Sequence, residues 1–199
     1  MNYLTNTLAF ILLFFFSYSS PAQTNYNYLL AKNYSLVIHG GSNLHDWIET
    51  AGKAYGTGVV SWNDNGSFDL NNLKLTVQVN SITSTEGSIM NNKTYKALDA
   101  SKHPEIVFAL TAASKSIPAD GKEHALTASG TLTIAGVTQP VTLHANVRAI
   151  LHGTISFDGS QRINMSDYHI DPPTALLGAL KVASDVTLQF KTTFIANNN

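Results

Sequence analysis

Seven histidines stand at positions 39, 45, 103, 124, 144, 152 and 169, and they are the first place to look for chemistry. No two have the HxxxH spacing that puts paired metal ligands on one helix face, and cysteine is absent, so no zinc or redox motif can be assembled from neighbours. His45-Asp46-Trp47 could supply an oriented base, because a carboxylate beside an imidazole can hold its tautomer. Adjacent strand residues point to opposite faces, however, which works against a direct contact between the pair. The plainer reading is a loop in which Trp47 plugs one end of a core. Gly40-Gly41-Ser42 lacks the GxSxG spacing of a nucleophile elbow, and no phosphate-cradling or dinucleotide glycine motif occurs. His144 alternates with apolar neighbours and reads as a surface residue. Glu105, Asp167 and Asp171 form no evident carboxylate pair. The residues name no reaction, no catalytic group, no metal and no cofactor.

What must position these side chains is a set of period-two stretches. Leu73, Leu75, Val77 and Val79 alternate with Lys74, Thr76 and Gln78. Ile106, Phe108 and Leu110 repeat the pattern, as do Leu126, Ala128, Gly130, Leu132 and Ile134. Val141, Leu143, Ala145, Val147 and Ala149 form a fourth set, and Val186, Leu188 and Phe190 a fifth. Strict alternation is the mark of strands with one wet face, which antiparallel sheets tolerate. Further strands are expected over 34–38, 54–62, 153–157 and 161–165. Asn63-Asp64-Asn65-Gly66, Asp120-Gly121, Ala135-Gly136 and Asp158-Gly159 read as turns, because these residues accept positive φ. Pro140 opens the fourth run.

One segment changes period. Met90, Thr94, Ala97 and Leu98 fall on one face of a short helix that Ser84 or Thr85 could cap. A loop is expected around Pro172-Pro173, with a helical turn over 174–177. About nine strands and one helix without a disulfide fit an antiparallel β-barrel, whose closure removes exposed edges. A two-sheet sandwich fits the same alternation.

Residues 1–22 have a short apolar run, at 8–16, followed by Ser20-Pro21-Ala22, the pattern of a secretory signal cleaved after Ala22. The protein is therefore expected in the periplasm or outside the cell. Residues 23–33 read as a lead-in, 34–195 as one barrel domain and 196–199 as a tail. A formal net charge of −1 and the lack of a basic block give no footprint for nucleic acid.

Five blocks in order, SNLHDW (42–47), MNNKTYKAL (90–98), HPEIVF (103–108), GTLTIAGVTQPVTL (130–143) and MSDYHIDPPTALLG (165–178), resemble the YceI-like family. The resemblance runs over about 34–194. It implies an all-β, lipocalin-like antiparallel barrel of about eight strands with one short helix and a hydrophobic lumen. It also implies a long isoprenoid ligand, either a polyprenyl lipid or an isoprenoid quinone, and an exported protein without catalytic residues. Transient contact with a membrane surface and a homodimer are compatible with that role. One departure is His169, where the family commonly has glycine.

The alternating faces nominate Phe68, Leu75, Val77, Met90, Ile106, Phe108, Leu132, Leu143, Val147, Leu188 and Phe190 as the lumen wall. An uncharged wall suits a chain of CH₂ and CH₃ groups and cannot hold an ion or a sugar. Met90, Tyr95 and Leu98, with the Pro172-Pro173 loop, are expected to cover an opening. Two other classes remain open at this stage: an enzyme acting on such a lipid with His45 or His169 as base, and a structural envelope protein whose barrel is filled by its own side chains.

Overall fold

A computed structural model describes residues 24–175 and 180–197. The strands in chain order are β1 (Asn25–Leu30), β2 (Ser35–Ser42), β3 (Asp46–Ala51), β4 (Ala54–Trp62), β5 (Ser67–Gln78) and β6 (Ile82–Ser84). After helix α1 (Ser88–Ala97) come β7 (Glu105–Ala113), β8 (Ile117–Pro118), β9 (Asp120–Ile134), β10 (Val137–Ile150), β11 (Ile155–Asn164), β12 (Thr174–Ala175) and β13 (Leu180–Ala196).

Eight antiparallel strands close into a barrel in the order β1-β4-β5-β7-β9-β10-β11-β13, and β13 returns to β1. Closure rules out the sandwich that the same alternation allowed. Strand β13 serves two edges. Its last residues pair with β1, and its earlier part, from Val182 to Lys191, pairs with β2. Strand β2 continues into β3 and β6. The turn between β3 and β4 ties this extension back to the wall, with Gly52 N–H donating to Ser81 O at 2.9 Å and Gln78 N–H to Lys53 O at 3.0 Å. One end of the barrel is thus completed by β1 and the other by the β2–β3–β6 extension.

Several expectations shift. The lead-in 23–33 carries β1, a full barrel strand, whose outward Asn25 and Asn27 hide it from a search for alternating apolar residues. Residues 155–164 form one strand, so Asp158-Gly159 is no bend: Asp158 pairs with Asn146 and Lys191 in mid-ladder. Glycine is needed there for a different reason, because a Cβ on Gly159 would lie 2.7 Å from the Phe190 ring. Helix α1 starts at Gly87, not at a Ser84 or Thr85 cap. The Ser84 N–H instead meets the Asn91 side chain at 2.7 Å. Thr174–Ala175 is a strand paired to β13 rather than a helical turn, and the rest of 174–177 lies outside the described residues, as does the signal segment 1–22. Ala135 and Gly136 both have positive φ, as a two-residue hairpin requires. Pro140 lies inside β10, which starts at Val137. At that height β10 has no partner on its β11 side, so the missing N–H breaks no ladder.

The interior is not uniform. Tyr28, Val60, Phe68, Val147, Ala149, Ile155 and Phe194 are at most 2% exposed and pack into a solid floor at the β1 end. Toward the α1 end the inward residues include Leu75, Val77, Ile106 and Leu188, which point into the barrel yet are only half-buried. Side chains that face inward without being covered border a cavity.

Candidate functional site

Two apolar cavities follow each other along the barrel. The upper one, about 170 Å³, lies beneath α1. Leu75, Val77 and Ile106 reach it from β5 and β7, Met90 from α1, and Leu188 from β13. The lower one, about 90 Å³, lies on the floor and takes in Leu143 and Phe190. Leu36, Leu75, Phe108, Leu132 and Leu188, from five different strands, border both and stand where the two meet. The period-two pattern puts these residues inside; the height at which each strand pairs decides which cavity they meet.

Two of the residues nominated from sequence do not reach the lumen. Phe68 is 0% and Val147 1% exposed, and both belong to the floor. Their phase is inward like that of the others, but their partners lie at the packed end. Phe68 pairs with Ile117 of β8, and its ring lies tilted against Trp62 with the centroids 5.5 Å apart.

Helix α1 covers the upper cavity through the stripe read from its spacing. Met90, Thr94, Ala97 and Leu98 face the lumen. Tyr95 does not cover the opening; it anchors the helix, its hydroxyl donating to Ile82 O at 2.7 Å and to Asn80 O at 3.1 Å. Pro173 closes the opposite rim. Trp47 is buried and lines the upper cavity, held by its indole N–H donating to Gly41 O at 3.2 Å. It caps the lumen rather than a filled core.

The histidines stay outside. His45 is exposed, with Nδ1 2.9 Å from Asp46 O and 3.5 Å from Glu86 Oε1. His169 is exposed and caps a short 3-10 turn with φ 56, in the left-handed region where a glycine would carry no Cβ cost. Neither borders either cavity. Among the described residues, no group of three His, Asp or Glu side chains could hold a metal ion, and no helix is long and apolar enough to cross a membrane.

Several lining residues were not nominated from sequence, among them Leu36, Met165 and Ile170, and one of them is ionisable. Glu49, only 2% exposed, projects from β3 into the upper cavity and accepts a hydrogen bond from the Thr94 hydroxyl of α1. The signal was present: in DWIETA the inward phase is Trp47, Glu49, Ala51, a carboxylate where a strand buries apolar groups. Burial pushes the Glu49 carboxyl above the ordinary carboxylate range; the Thr94 hydrogen bond opposes this, and the nearby Glu86 charge adds to it.

The native state therefore keeps this proton at a pH where the unfolded chain has lost it. The stability that the neutral form contributes is complete below the ordinary Glu value and is lost as pH rises through the raised native value. The native protein is expected to lose stability across that window, and Glu49→Gln to flatten the loss, in urea unfolding at a series of pH values. Glu86 and His45 are present in both proteins, so the difference isolates Glu49. Parallel curves would contradict this account.

Comparison with known proteins follows the same lines. A polyisoprenoid binding domain from Saccharophagus degradans, implicated in plant cell wall breakdown, superposes with a TM-score of 0.67 at 16% identity, covering 85% of this chain and 98% of that one. BcnA of Burkholderia cenocepacia superposes with a TM-score of 0.60 at 20% identity, over 80% of this chain and 95% of that one. A Campylobacter jejuni YceI protein gives 0.55 at 20% identity, over 74% and 85%. At these identities the likeness is one of fold. No curated protein matches the sequence. The sequence model of the YceI-like domain matches residues 41–194, nearly the whole barrel from β2 to β13, and the chain belongs to that family.

Proposed function

We propose that this protein binds and carries a long-chain isoprenoid lipid, a polyprenyl lipid or an isoprenoid quinone, within its barrel, and that it works as an exported protein in the periplasm or outside the cell. The observation that carries the reading is the lumen itself: an apolar wall from Trp47 and Met90 down to Leu143 and Phe190 that its own side chains do not fill. The likeness to a domain described as polyisoprenoid binding supports it.

The physics favours a slim hydrocarbon. Burial contributes roughly 0.8 kcal/mol per CH₂-sized group, so a few isoprene units offset the several kcal/mol lost on immobilising a flexible chain. An apolar cavity of roughly 150 Å³ already suffices for a small hydrocarbon. Met90 and Met165, both on the upper wall, are the side chains that adapt most readily to a flexible ligand. Leu44 is 70% exposed on the turn between β2 and β3, and Ile89 74% exposed in the first turn of α1, each close in sequence to the His45–Glu86 contact. They suit transient contact with a membrane from which the lipid is taken.

Mass spectrometry of an organic extract tests this directly. Protein purified from a host with an intact envelope is expected to release a polyprenyl species at about one per barrel, or one per two barrels in a homodimer. Folded protein that releases none, and that binds no added prenol, would overturn the carrier reading.

A further inference from the structure

The two ends of the lumen differ chemically. The lower cavity meets the floor, where Phe157, Phe194 and Leu126 leave only the neutral Gln161 and Thr192 at the margin. The upper cavity holds Glu49, the sole ionisable side chain among the described residues lining either cavity. Its carboxyl receives one hydrogen bond, from Thr94 to Oε1, and Oε2 has no protein partner among the described residues. The residue is 2% exposed, yet Oε2 is not walled off: the one fully enclosed side-chain polar atom without a partner among the described residues is Trp62 Nε1, so Oε2 stays open to the cavity, where an apolar ligand would leave it unpaired at a cost unless the ligand itself supplied a donor. Such a carboxyl is worth keeping where something else completes it.

We propose that Glu49 and Thr94 receive the ligand's head, and that the protein selects isoprenoids ending in an uncharged hydroxyl, an alcohol or a hydroquinone, over those ending in phosphate. This rests on the carrier reading and adds an orientation to it: head beneath α1, tail toward the floor. The chemistry is that of complement and exclusion. A hydroxyl donates to Oε2 and completes the carboxyl's second hydrogen bond. A phosphate carries about −1.5 to −2 charges, offers only acceptors, and would face both Glu49 and the neighbouring Glu86. Among the described residues, no lysine or arginine lines either cavity to offset that repulsion. A head placed at the floor would find no ionisable partner and would displace solid packing.

The test uses the intact protein and three probes of one chain length: farnesol, farnesyl monophosphate and the headless hydrocarbon farnesane. Binding is followed at a pH above the raised Glu49 value, where the carboxylate carries its charge, through the change in tryptophan fluorescence, since Trp47 lines the upper cavity. Farnesol is expected to bind about tenfold or more tighter than either other probe, the equivalent of one charge-assisted hydrogen bond. Glu49→Gln keeps the shape and an acceptor but removes the charge, and should bring farnesyl monophosphate to within about threefold of farnesol. Glu49→Leu should bind farnesol and farnesane alike, and should show a higher thermal midpoint, because an apolar side chain needs no partner there. Circular dichroism identifies any variant that fails to fold, and Glu49→Gln, nearly isosteric, provides the second reading.

Three results overturn the proposal. One is farnesyl monophosphate binding the native protein as tightly as farnesol. Another is farnesane doing so. The third is preferences that neither variant changes. If none of the three probes binds the folded native protein, the carrier reading itself falls, and this proposal with it.

Discussion

Phe68→Ala is expected to cost about 3–5 kcal/mol of unfolding free energy, while Leu188→Ala costs roughly 1–2. Both positions were assigned to the same lumen wall by alternation, and both point inward. Their surroundings differ. Phe68 is fully buried, tilted against Trp62 at 5.5 Å and joined to β8, so removing its ring leaves a hole among atoms that cannot all move in. Leu188 already borders both cavities. Truncating it enlarges a space whose contacts were never made, so little beyond the transfer of a few methylenes is lost. Urea unfolding of the two variants, free of added lipid, measures the difference. Affinity should show the reverse order: Leu188→Ala loses wall contact with the ligand, whereas Phe68→Ala keeps it wherever the protein remains folded. Equal stability costs would mean that floor and lumen are one continuous core.

That contrast also marks what the sequence could reveal. Period two tells which face of a strand is inward, and it did so for Leu75, Ile106, Leu132 and Leu188, all on the cavity wall. It carries no information on height along the barrel axis, which depends on register with strands far away in the chain. Phe68 sits low because β5 begins beside β8, a pairing no local pattern announces. Strand β1 escapes the pattern because its outward Asn25 and Asn27 are polar and its apolar content is modest. The turn dipeptide Asp158-Gly159 misled because glycine answers two different needs; here it makes room for the Phe190 ring. The helical stripe of α1 was legible from Met90, Thr94 and Leu98, yet its cap was not, since Gly87 lends no side chain to the N-terminus. Glu49 shows the converse limit. Its inward phase is legible in DWIETA, but a single glutamate whose partner, Thr94, lies on a distant helix has none of the spacing of a histidine or carboxylate pair.

Ala128→Phe is expected to separate long ligands from short ones. Ala128 is 5% exposed, pairs with Leu143 across β9 and β10, packs on the floor and lines the lower cavity. The added ring has about 90 Å³ of space ahead of it, so it fills the lower cavity more than it strains the wall. The stability cost should stay within the roughly 1–3 kcal/mol of ordinary overpacking. The effect on binding is larger. A tail that can no longer enter the lower cavity forfeits about one isoprene unit of burial, and at roughly 0.8 kcal/mol per carbon group that amounts to about a hundredfold in affinity after the ordering cost is discounted. Geraniol, one unit shorter than farnesol, should bind the variant nearly as well as the native protein, because the Glu49 end and the upper cavity are untouched. Titration of both alcohols against both proteins gives the answer. Equal losses for the two would place the tail somewhere other than the lower cavity, and an unfolded variant would show that Ala128 belongs to a filled core instead of a wall.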